Sequence, residues 1–183
     1  MDLTVAVGAY GLMSAFFSKD VGGGLGLAVE GRGELLSMGL ELRAVFPAPA
    51  VADQPVAGAQ TYYNQEFELS QATMLLVPCI RWKYIAGCGV LQGGVMLLYN
   101  FETQTHDVFG ASVGLGPRFR VEVPITEQFA VFGFGEVLFS PWLAGVEYSK
   151  PSVNPEDGPP PNTYWQQPVA SAFFGVGFNV SFK

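Results

Sequence analysis

The chain has 183 residues, 49% of them hydrophobic and only 14% charged, with a formal net charge of −7. That charged fraction is well below the roughly 25% of an ordinary soluble domain, yet no run approaches the roughly 20 apolar residues that a spanning helix needs. Two architectures remain, a densely packed soluble all-β domain or a transmembrane β-barrel, and nucleic acid is excluded as a partner because the nine basic residues form no cluster.

Met1-Asp2 runs straight into alternating Leu3, Val5, Val7 and Ala9. For an exported protein this implies a start Met in place of a cleaved leader; the alternative is a chain that is never exported. Period-two alternation then predicts eight strands. The first, about 3–17, carries Leu3, Val5, Val7, Ala9, Met13 and Phe17 on one face and Thr4, Gly8, Tyr10 and Ser14 on the other, with Leu12 and Phe16 breaking the pattern. The second, 23–32, turns Leu25, Leu27 and Val29 out and Glu30 and Arg32 in. The third, 34–46, has Leu36, Met38, Leu40, Leu42, Ala44 and Phe46 outside and Ser37, Gly39, Glu41 and Arg43 inside.

The fourth, 65–81, is ambiguous, because Glu66, Glu68 and Ser70 share the parity of Met74 and Leu76. A bulge near Gln71-Ala72-Thr73 would reconcile the two halves. The fifth, 86–101, and the sixth, 109–123, alternate clearly; the sixth sends Arg118, Arg120 and Glu122 inward. The seventh, 128–140, is mixed but brings Glu136 inward, and the eighth, 170–182, is the most regular of all. Its apolar face is Ala170, Ala172, Phe174, Val176, Phe178, Val180 and Phe182.

Short turns are expected near 31–34, 82–85 and 124–127, and longer loops at 47–64, 102–108 and 141–168, with a short exception at 18–22. That alternation suits one up-and-down barrel domain, 1–183, with both termini on the short-turn side. The long loops are acidic, carrying Asp53, Glu66, Glu68, Glu102, Asp107, Glu147, Glu156 and Asp157. Aromatic residues gather at both strand ends, Phe46, Phe139 and Trp142 among those on the loop side and Trp82, Tyr84, Phe129 and Phe182 on the turn side. Two such belts match two membrane–water interfaces, although aromatics favour strand ends in any sheet.

The inward charges Glu30, Arg32, Glu41, Arg43, Arg118, Arg120, Glu122 and Glu136 are the most informative polar set. Strand direction groups Glu30, Arg32, Arg118, Arg120 and Glu122 in the terminal half of the barrel. Eight strands leave an interior barely wide enough for side chains, and an isolated buried charge costs several kcal/mol. Balanced charges there must pair, which predicts a salt-bridged plug; the rival is a narrow charged channel with water between the pairs.

With Lys83-Tyr84 centring a turn, Cys79 and Cys88 fall directly opposite each other. A non-hydrogen-bonded pair at roughly 4.5 Å is within disulfide range, and an oxidising compartment would be implied; two unpaired buried cysteines are the alternative. Two Cys and one His make no metal site, and no cofactor is expected. His106, the sole histidine, would be required by a Ser/His/acid triad. Its polar loop offers no serine before Ser112, so a solvated loop histidine is the simpler reading. Gly22-Gly23-Gly24-Leu25-Gly26 lacks the Lys-Ser/Thr of a phosphate loop and instead relieves crowding.

On these patterns the chain resembles the small eight-stranded outer-membrane barrels of Gram-negative bacteria, the class containing the OmpA transmembrane domain, OmpX and OmpW. The sharpest element is the final strand, where Phe174, Val176, Phe178, Val180 and Phe182 resemble the C-terminal assembly signal of that class, with Lys183 departing from it by one residue. The resemblance implies an all-β closed antiparallel barrel in contact with outer-membrane lipid, inserted by the barrel-assembly machinery, with periplasmic termini. It implies no single activity. The expected role is a non-enzymatic structural, surface-interaction or narrow-channel barrel, acting as a monomer with its extracellular partner unidentified. A lipid-acting barrel enzyme and a soluble lipocalin-like barrel are the alternatives, and the latter requires the greasy faces to point inward.

Overall fold

The computed structural model describes residues 3–15, 22–52, 65–100, 105–141, 145–148, 163–166 and 169–182. These form β1 (Thr4–Ala15), β2 (Gly22–Arg32), β3 (Leu36–Ala52), β4 (Gln65–Trp82), β5 (Ile85–Asn100), β6 (Thr105–Pro124), β7 (Phe129–Phe139), β8 (Gly145–Tyr148), β9 (Thr163–Gln166) and β10 (Ala170–Phe182). Among the described residues, eight strands close into a barrel in the order β1-β10-β7-β6-β5-β4-β3-β2, while β8 and β9 pair as a separate hairpin. Every neighbouring pair is antiparallel. Val5 pairs with Phe182 and Ala15 with Ala172, so the first and last strands seal the cylinder and put both chain ends on one side. Closure matters physically, because an open edge would leave a row of amide groups without partners in hydrocarbon.

Alternation decides which face meets which medium. Leu27 is 62% exposed and Val176 66%, whereas Leu75 and Phe173, on the inward faces of their strands, are 0% and 1% exposed. The Leu, Val and Phe rows therefore form the outer wall and the Glu and Arg rows face the lumen. A soluble barrel of the lipocalin kind needs the reverse. β2 and β7 have 11 residues each, the length that crosses a hydrocarbon layer when tilted. Trp82, Tyr84 and Phe182 are exposed at the turn end and Phe46 and Phe139 at the loop end, while Phe129 stacks on Phe178 with centroids 5.9 Å apart. Trp142 lies outside the described residues.

The turns on the terminal side are tight. Gly33 N–H donates to Leu36 O at 2.9 Å, Lys83 takes the left-handed conformation (φ 52°) between Trp82 and Ile85, and the Thr126 hydroxyl accepts from Phe129 N–H at 3.0 Å.

Three expectations need correction. The predicted bulge at 71–73 is absent, since β4 keeps one register against β5 from Phe67 to Trp82. The irregularity lies instead on the neighbouring strand, between Val45 and Ala48 of β3. Pro47 and Pro49 flank that point, and neither has an N–H to give to the ladder. Second, the segments assigned to loops at 47–64 and 102–108 are partly strand, because β3 runs on to Ala52 and β6 begins at Thr105. Third, the span 141–168 is not wholly irregular: it holds the β8–β9 hairpin, in which Val146 pairs with Trp165 and Tyr148 with Thr163.

Candidate functional site

The inside of the barrel holds a two-tier ion-pair network. Nearest the termini, β2 contributes Glu30 and Arg32, β4 Arg81, and β6 Arg120 and Glu122. Glu30 accepts from Arg32 Nη2 at 2.8 Å, Arg81 Nη1 at 3.0 Å and Arg120 Nη1 at 3.1 Å. Glu122 accepts from Arg120 Nη2 at 2.8 Å, Arg32 Nη1 at 2.9 Å and Arg81 Nη2 at 3.4 Å. Asn179 of β10, with its carbonyl oxygen turned toward them, accepts from Arg120 at 3.0 Å and Arg32 at 3.3 Å.

The second tier sits further into the barrel. Arg118 donates to Glu41 through Nη1 and Nη2, at 2.5 and 3.1 Å, and to Glu136 through Nε at 2.7 Å, with Nη2 2.6 Å from the same carboxylate oxygen. Arg43, on β3, reaches across to Glu136 on β7 at 2.5 Å. Tyr10 completes the tier by donating its hydroxyl proton to Glu41 at 2.8 Å. The Arg43 and Glu136 side chains are 0% exposed. In the barrel interior such charges survive only with close, charge-assisted hydrogen bonds.

Three lumenal arginines also lie on phenylalanine faces. Arg120 Cζ is 4.1 Å from the Phe132 ring centroid, Arg118 4.5 Å from Phe134, and Arg43 4.9 Å from Phe173. Guanidinium over an aromatic face is favourable and strengthens as water is excluded. Tyr10 meets Phe134 edge-on at 5.2 Å. Glycine makes this aromatic filling possible: a Cβ on Gly26 would fall into the Tyr10 ring, and one on Gly175 into the Phe134 ring. Rings and guanidiniums thus pack over small residues from neighbouring strands inside the lumen.

The structure brings Glu30, Arg32, Glu41, Arg43, Arg118, Arg120, Glu122 and Glu136 all inside the cylinder, but in two groups. Arg118 does not join the terminal cluster that strand direction suggested; it pairs with Glu41 and Glu136 instead. Sequence reasoning put Tyr10 on the inner face without joining it to the charges, and passed over Arg81 and the lumenal phenylalanines. Arg81 shares the odd parity of Cys79 and Leu75 on β4, a signal hidden by that strand's ambiguous start. Cys79 and Cys88 are cross-strand partners joined by a disulfide, with Cα atoms 4.0 Å apart and both residues buried. On β10, Phe174, Val176, Phe178 and Phe182 are exposed on the outer wall and Val180 is half-buried. The backbone of His106 pairs with Tyr99. Among the described residues no group of His, Cys, Asp and Glu could hold a metal ion.

A closed antiparallel cylinder with an apolar exterior and an ion-paired interior defines a small transmembrane β-barrel. No protein-family model and no curated protein matches the sequence. Solved structures share the fold across the whole chain at low identity. A major outer membrane protein from Thermus thermophilus has a TM-score of 0.67 and 14% identity, covering 100% of both chains. OprG of Pseudomonas aeruginosa gives 0.62 and 14%, covering 98% of this chain and 95% of that one. Ail, the attachment invasion locus protein of Yersinia pestis, crystallised with the heparin analogue sucrose octasulfate, gives 0.52 and 8%, covering 98% and 97%. The chain has the fold of the eight-stranded outer-membrane barrels.

Proposed function

We propose that the chain is a single-domain, non-enzymatic barrel of a bacterial outer membrane, with its lumen plugged by paired charges and its work done by the loop side. The observation that carries this reading is the two-tier network, in which Arg118 bridges Glu41 and Glu136 while Arg32, Arg81 and Arg120 bridge Glu30 and Glu122. A solute path down the axis would have to break several buried ion pairs at once, each costly to open.

With the termini periplasmic, the acidic loops face outward, and the β10 apolar row, from Phe174 to Phe182, is the segment read by the assembly machinery. By sequence the loops carry Asp53, Glu102, Glu156 and Asp157, which lie outside the described residues, and β6 carries Asp107. Electrostatic complementarity then favours a cationic surface partner. A polysulfated glycan such as the one bound to Ail would be repelled.

Planar-bilayer recording tests the plug. The refolded protein is expected to give no steady conductance, and Arg118→Ala, which opens the inner tier, is expected to give brief openings. A steady, large conductance from the unaltered protein would refute the reading.

A further inference from the structure

Beyond the plug, the lumen holds a second arrangement, and we infer that it is a binding site for one small carboxylate. Among the described residues the inner tier sets Arg43 and Arg118 against Glu41 and Glu136, and those ion pairs leave guanidinium donors free.

Arg43 is where the anion is received. It gives Nη1 to Glu136, but its Nε and Nη2 atoms, the two parallel donors of one guanidinium edge, are buried and have no hydrogen-bond partner among the described residues. The Tyr10 hydroxyl spends its own proton on Glu41; its neutral oxygen lies near Arg43 as an acceptor, a weaker partner for a guanidinium than a carboxylate. A Nε/Nη2 edge matches the two oxygens of a carboxylate.

Unpartnered polar groups on the neighbouring strands share its lumenal side. Thr73 is the direct cross-strand partner of Arg43, and cross-strand Cβ atoms lie roughly 4.5–5.5 Å apart. Its hydroxyl is buried without a partner. Gln71 stands two residues along the same face. Gln71 and Gln92 both reach the Ser112 hydroxyl, at 2.5 and 3.3 Å, leaving both amide oxygens unpartnered. Ser112 has one proton to donate, so reversing an amide only moves the orphan to its other end. All four residues are 4% exposed or less. The guanidinium edge takes the carboxylate, the Thr73 hydroxyl donates a further hydrogen bond, and the amide ends suit a hydroxyl or amine on the same small molecule.

The test uses the full chain refolded in detergent micelles, titrated with sodium acetate against sodium chloride at matched ionic strength. The readout is the Nε–H resonance of Arg43 in ¹H–¹⁵N spectra, identified by its loss in Arg43→Lys. Acetate is expected to shift that resonance saturably with one equivalent per barrel. Thr73→Val, close to isosteric and touching no ion pair, is expected to weaken binding about tenfold or more, the worth of one charge-assisted hydrogen bond. An equal shift with chloride, a shift that never saturates, or wild-type affinity in Thr73→Val would overturn the site.

Discussion

Glu136→Gln is the sharpest test of the ion-pair network. The substitution keeps the shape of the side chain and removes one buried charge. Among the described residues Glu136 is the sole carboxylate bonded to Arg43 and one of two bonded to Arg118. Two charge-assisted contacts at about 1.5–3 kcal/mol each give a loss of roughly 3–6 kcal/mol. Measured costs of breaking a buried pair from one side, about 3–5 kcal/mol, fall within that range. Glu41→Gln is expected to cost less, because Arg118 keeps Glu136 and the other partner lost is the Tyr10 hydroxyl. The double variant Arg43→Met/Glu136→Gln restores the balance of Arg118 with Glu41 and is expected to recover most of the loss, as apolar replacement of a whole buried pair does. Urea unfolding in lipid vesicles, followed by tryptophan fluorescence, measures all three. A Glu136→Gln variant within about 1 kcal/mol of wild type, the range of solvated ion pairs, would refute the argument and mean that water screens the lumen. A double variant no better than the single one would refute the pairing.

Arg81→Gln is expected to cost no more than about 1 kcal/mol, since it leaves Arg32 and Arg120 balanced against Glu30 and Glu122 and Arg81 is the most exposed arginine of that tier; the same urea titration reads it. Gly26→Val drives a side chain into the Tyr10 ring, which is pinned by Glu41 and packed on Phe134. About 1–3 kcal/mol of destabilisation should follow, partly recovered by adding Tyr10→Leu; a silent Gly26→Val would mean that Tyr10 is free to move. Cys79→Ser/Cys88→Ser opens a loop with a sequence separation of 9 and is expected to lower stability by at most about 2–3 kcal/mol in the chain-entropy model. Mass spectrometry with and without reductant checks the bond itself, and free thiols in the oxidised sample would count against it.

The barrel was legible wherever one face of a strand meets hydrocarbon and the other small or charged residues, as on β3, β6 and β10. There period-two chemistry declares both the strand and its facing. β7 resisted because Phe132 and Phe134 are as apolar as Val131 and Val137 on the opposite parity. Only the ladders against β6 and β10, which set Glu136 beside Arg118 and Phe173, decide which phenylalanines point inward. The break near strand four was legible as a mismatch of parity, but its place was not. Proline on β3 put it on the neighbouring strand.

From the order of residues alone follow the all-β architecture, the outward apolar wall, the inward charges and the opposition of Cys79 to Cys88, since each depends on alternation or on a local turn. Which arginine meets which glutamate across the lumen was decided only by closure. Arg43 and Glu136 stand 93 residues apart, and their meeting depends on the tilt and stagger of strands around the cylinder. Local periodicity carries no record of that stagger, so the division into two tiers and the unpartnered edge of Arg43 exist only in the closed barrel.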